Sequence, residues 1–183
     1  MKFTASQQHE FDTLIGQAAE ASQGGRHARA LEHLEAARIS LVSLDIQDDY
    51  DWSGWYDLKM EVLMAQGLGE QTALTARQML EQVNPKPSDF TEAHHRIIQD
   101  SLISAARVLS KYLFAQDRTG CNEEELRRTL KAGISMAYRQ EREEALQELQ
   151  QLHSKAFAIP YELPDEMDWE DAQNDAEGQG NER

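Results

Sequence analysis

The chain has 183 residues, the length of one domain or of one domain and a tail. Its 33 Asp and Glu against 18 Lys and Arg give a formal charge of −15, which argues against a nucleic-acid or other phosphate-binding surface, because such surfaces need clustered bases. No run of about 18 apolar residues predicts a membrane span. The single cysteine, Cys121, excludes an internal disulfide framework or a multi-cysteine zinc site, and the polar start Thr4–Gln8 is no secretory h-region, so a cytoplasmic protein is expected.

Helical periodicity dominates the first 160 residues, and sustained alternation of the strand kind is missing. A first helix is predicted over about Ser6–Ser22, with Phe11, Leu14, Ile15, Ala18 and Ala21 on one face, ended by Gly24-Gly25. A second covers about His27–Leu44, with Ala30, Leu31, Leu34, Ala37, Leu41 and Leu44 inward. The acidic loop 45–51 leads to a third over about Trp52–Gln66, with Asp51 or Ser53 as N-cap. Gly67-Leu68-Gly69 turns the chain into a fourth, about Glu70–Val83, stopped by Asn84-Pro85-Lys86-Pro87. Ser88-Asp89-Phe90 opens the longest helix, which runs to about Gln116. Asn122 is expected to cap a sixth, to about Ala137, with Glu123-Glu124-Glu125 in the dipole-favoured first turn. A seventh, about Tyr138–Phe157, continues it or bends from it near Gly133. Residues 161–183 hold nine carboxylates and one base, Arg183, and too few apolar groups to offset ordering entropy. The expected organisation is a helical domain over 1–160 and a disordered acidic tail over 161–183.

Ala18, Gly25, Ala30, Leu34 and Ala37 place small residues where two antiparallel helices meet and a glycine where the chain reverses. In this the segment Phe11–Leu44 resembles one unit of the tetratricopeptide superfamily, a helix–turn–helix repeat. The turn glycines at 25, 69 and 120 lie 44 and 51 residues apart rather than 34, so the expected fold is all-α: an irregular stack of about three helical hairpins, six to seven helices in all. The resemblance implies a binding scaffold, usually for a peptide or another protein, without chemistry of its own.

Candidate chemistry is sparse. Asp45, Gln47, Asp49, Asp51 and Ser53 have the spacing of a calcium loop, but Tyr50 stands where Gly is needed and Tyr56 where a bidentate Glu is needed. Glu92-Ala93-His94-His95 contains one half of a di-iron motif and no second half occurs, while His94 and His95 point about 100° apart. Cys121 precedes a helix, where a thiol can be acidified, but the three following glutamates oppose a thiolate. No metal, cofactor or catalytic residue is expected from these features, and no enzyme. Aromatic residues interleaved with carboxylates suit a basic protein partner, so Asp48, Asp49, Asp51, Trp52 and Tyr56 are the candidate partner-binding residues. Trp55, in register with Leu58 and Val62, is expected to be the more buried tryptophan. Arg127 and Arg128, four residues after Glu123 and Glu124, are expected to pair within their helix or to receive the acidic tail.

An acidic immunity protein (antitoxin) that neutralises a basic toxin domain is the leading functional expectation. The alternatives are a secretion or assembly chaperone for a secreted client, or a helical adaptor or regulator.

Overall fold

The computed structural model describes residues 2–86, 89–116 and 120–158, with the side chain of Cys121 also outside that set. The tail expected to be disordered, 161–183, lies outside the described residues. Seven helices follow one another: α1 (Ala5–Gln23), α2 (His27–Ser43), α3 (Asp49–Ala65), α4 (Gly69–Gln82), α5 (Glu92–Ala115), α6 (Cys121–Arg139) and α7 (Glu143–Phe157). Among the described residues there is no strand.

Four helices end in the same way. The N–H groups of Arg26, Ile46, Leu68 and Arg142 reach back to the carbonyls of Ala21, Leu41, Leu63 and Ala137 at 2.8–3.0 Å. The residue before each of these has positive φ: Gly25, Asp45, Gly67 and Glu141. This geometry satisfies carbonyls that a helix end would otherwise orphan. In three cases the next helix starts at once, which makes α1/α2, α3/α4 and α6/α7 tight hairpins. The third tight turn therefore falls between α6 and α7, and not between the long helix and the sixth as the spacing of glycines suggested. Glu141, not Gly133, is where the chain reverses.

Helix starts also shift. Asp48, rather than Asp51 or Ser53, caps α3 and accepts from the Tyr50 N–H at 3.0 Å. Asp51 is taken by Gln8 of α1, and the Ser53 hydroxyl donates to the Tyr50 carbonyl. Thr91 caps α5 in place of the expected opening at Ser88, accepting from the His94 N–H at 3.2 Å. Gly120, not Asn122, stands at the N-cap of α6.

Each helix packs on its neighbour in sequence, and the odd-numbered helices also pack on one another, α1 on α3, α3 on α5 and α5 on α7. The odd helices thus form an inner layer and the even helices stand further apart outside it. In the first hairpin Ala18, Ala21, Ala30, Leu34 and Ala37 are all buried, which lets two backbones approach closely. Leu126, Leu130, Ile134 and Leu149 join α6 and α7 to the same core, against Ile98, Leu102 and Leu109 of α5. Gly133 lies inside an unbroken α6. A Cβ there would sit 2.9 Å from Ala106 Cβ and 3.1 Å from Leu149 Cδ1, so the glycine permits close approach of three helices and no bend. Ion pairs tie both layers: Arg77 of α4 to Glu125 of α6 in the outer one by two bonds of 2.6 and 3.1 Å, and, in the inner one, Arg107 and Lys111 of α5 to Glu148 of α7 and Asp100 of α5 to Arg142 at the start of α7. The exposed side of α7 carries the polar residues Glu143, Glu144, Gln147, Gln151, Ser154 and Lys155.

Candidate functional site

The five candidate residues begin or lie within the first two turns of α3, and the helix distributes them over different surfaces. Asp48 and Asp51 face α1 and α5. Trp52 and Tyr56 face α2 and α4. Asp49 lies between, accepting from the Asn84 backbone N–H beyond α4.

On the outer side, a groove of about 590 Å³ runs between α2 and α4 with α3 as its floor. Trp55 is 3% exposed, and its indole N–H donates to the Leu34 carbonyl at 2.7 Å. The expectation that it is the more buried tryptophan holds, since Trp52 is only half-buried and donates to the Ile46 carbonyl at 2.8 Å. Tyr56 is 4% exposed and its hydroxyl donates to Gln82 Oε1 at 2.7 Å, so this ring joins α3 to α4 and is not a free surface aromatic. The three rings pack as a cluster with centroids 4.9–5.8 Å apart, and the Lys59 ammonium lies 4.7 Å from the Trp55 ring centroid. Burial pushes the Lys59 pKa down, and Glu35 opposes that shift.

On the inner side, α1, the start of α3 and the start of α5 enclose a trough of about 700 Å³. Asp12, Asp48, Asp51 and Asp89 line it, together with Tyr50, Phe90 and His94. The Gln8 amide nitrogen donates to both Asp12 and Asp51, each at 3.0 Å, and so pins α1 to α3. Asp51 is only 7% exposed. Burial raises its carboxyl pKa most, the Gln8 hydrogen bond opposes that, and the charges of Asp48 and Asp12 raise it further. Asp49 follows the same pattern: burial raises it, the Asn84 N–H lowers it, and Asp48 and Asp89 raise it again. Further along α3, Asp57 is open to solvent on one side, yet its carboxyl has lost enough water to raise its pKa, with Glu61 adding to the shift and a Ser101 hydrogen bond opposing it. Burial and neighbouring carboxylates thus disfavour the charged form of Asp49, Asp51 and Asp57, and a cation brought among them opposes that shift.

Tyr50 and His94 stack with ring centroids 4.6 Å apart across α3 and α5, and Tyr50 is exposed. Among the described residues that line the trough, Lys2 is the one lysine or arginine, with Nζ 3.3 Å from Asp48 Oδ2. Sequence reasoning named Asp48, Asp49 and Asp51 as partner-binding residues, weighed His94 only as part of a metal half-motif, and did not place Asp12 or Asp89 at the site. These come from separate elements, and nothing local marks them as neighbours.

The remaining candidates are plain. Among the described residues no group of three or more His, Cys, Asp or Glu could hold a metal ion. Arg127 pairs with Glu123 at 3.3 Å as the four-residue spacing predicts, and its guanidinium lies 3.9 Å from the Phe157 ring centroid. Arg128 and Arg139 instead face a groove of about 520 Å³ between α4 and α6. Cys121 opens α6, and the expectation about its thiol lies outside the described side chains. No described helix is long and apolar enough to cross a membrane. Compared with known proteins, the chain matches no family model, no curated protein and no solved structure.

Proposed function

We propose that the chain is a non-enzymatic protein-binding module that receives a basic partner in the inner trough. The observation that carries this reading is the convergence of Asp12, Asp48, Asp51 and Asp89 from three elements around Tyr50, Phe90 and His94. Carboxylates beside aromatic rings match lysine and arginine side chains, which present a charge at the end of an apolar stem. In its specific form the reading is an immunity protein that neutralises a basic toxin domain, because the chain's charge of −15 speeds encounter with an oppositely charged partner. A second reading is favoured by the shape of the site. A trough crossing α1, α3 and α5 suits an extended segment, which is what a secretion or assembly chaperone holds.

The test uses a fluorescent hepta-lysine peptide and the full chain. Asp12→Asn with Asp89→Asn removes two charges from the trough and should weaken binding about tenfold or more at low salt, because each close charge contributes on the order of 1 kcal/mol in a water-like dielectric. Glu32→Gln with Glu144→Gln removes the same charge from exposed positions outside the trough and should change affinity less than about twofold. Equal losses in the two pairs would mean that net charge alone attracts the peptide, and the trough would not be the site.

A further inference from the structure

The trough already contains a cation of the chain's own. Lys2 stands on a short arm before Thr4, the N-cap of α1. The arm is anchored by Phe3, whose ring packs on Phe11 with centroids 5.3 Å apart. Lys2 itself is held lightly. Its side chain is 75% exposed, with its ammonium 3.3 Å from Asp48 Oδ2 and 6.0 Å from the Phe90 ring centroid. The Asp48 side chain is only 13% exposed, and it divides its work: Oδ1 caps α3 and Oδ2 receives Lys2.

We infer that Lys2 occupies the subsite in which a basic side chain of the partner binds, and that the N-terminal arm is a weak intramolecular competitor that the partner displaces. This rests on the proposal that the trough binds a basic chain, and adds where its charged group sits: between the Asp48 carboxylate and the Phe90 ring. Three features support it. The subsite combines an anion with an aromatic face, the arrangement that a cation on an alkyl stem prefers. Its present occupant lies ahead of the α1 capping box, so it can swing away without unwinding the helix. Asp48 is fixed by its capping bond and keeps its position when the ammonium leaves. An ion pair as exposed as this one holds weakly, so its competition costs a partner no more than about fivefold in affinity.

The experiment measures hepta-lysine affinity for four full-length proteins at low salt: wild type, Lys2→Ala, Lys2→Arg and Lys131→Ala. Lys131→Ala removes the same charge from an exposed position on α6. The inference predicts that Lys2→Ala binds about two- to fivefold more tightly than wild type, while Lys131→Ala and Lys2→Arg stay within about 1.5-fold of it. If Lys2→Ala and Lys131→Ala tighten binding equally, Lys2 blocks nothing and the inference is overturned, with the trough reading left standing. If Lys2→Ala weakens binding, the arm is part of the partner's platform and competition is again excluded. If none of the four proteins binds the peptide, the trough reading fails and takes this inference with it.

Discussion

Gly133→Val is expected to lower stability by roughly 3–5 kcal/mol, a large share of the roughly 5–15 kcal/mol that holds a domain folded. A single added Cβ already meets Ala106 Cβ at 2.9 Å and Leu149 Cδ1 at 3.1 Å, and two further methyl groups have no space between α5, α6 and α7. For a chain of this length the melting temperature should fall by about 10 °C or more, read by circular dichroism. Gly133→Ala is the finer probe. Alanine gains about 1 kcal/mol of helix propensity over glycine, but overpacking costs about 1–3 kcal/mol, so the net change is a smaller loss. Ala106→Gly in the same chain removes the methyl that Cβ would strike but itself costs about 1 kcal/mol of helix propensity, so the two changes together should cost less than the sum of each made alone. A Gly133→Val protein that melts like wild type would mean that α6 does not cross α5 as closely as described.

Trp55→Ala carries the second large effect. The ring is buried among Trp52, Tyr56 and the Lys59 ammonium, and truncating a buried aromatic of this size costs about 3–5 kcal/mol. Trp55→Phe keeps most of the apolar contact and loses the indole N–H to the Leu34 carbonyl, so it should cost about 1–2 kcal/mol. Urea unfolding separates the two variants, with the midpoint falling and the slope unchanged if both alter stability alone. A Trp55→Ala midpoint close to wild type would remove the aromatic cluster from the account of what joins α2 to α3 and α4.

What the sequence made legible follows from where the determining contacts lie. The first hairpin was readable because its small residues, Ala18, Ala30 and Ala37, and its turn glycine, Gly25, are all local. The α6/α7 turn was not, because its left-handed position is filled by Glu141, a residue type that gives no turn signal. Its next residue, Arg142, is held by Asp100, 42 positions earlier. The start of α3 offered several carboxylates as caps, and a glutamine 43 residues upstream, Gln8, binds Asp51 and leaves Asp48 to cap. The division of the candidate site was partly visible. Asp51 and Tyr56 are five residues apart, about 140° around a helix, and so could not share one face. The trough was not visible, since Asp12 and Asp89 meet Asp48 and Asp51 only after α1, α3 and α5 have packed.

Where a basic chain binds can be observed directly by titrating unlabelled hepta-lysine into the isotopically labelled full-length protein at low salt and following backbone amide shifts. The account predicts saturable shifts concentrated in residues 8–12, 48–54 and 89–97, with the outer helices α2 and α6 quiet. Shifts centred instead on the α2/α4 groove around Trp52 and Tyr56, or spread evenly over every acidic surface without saturation, would contradict it.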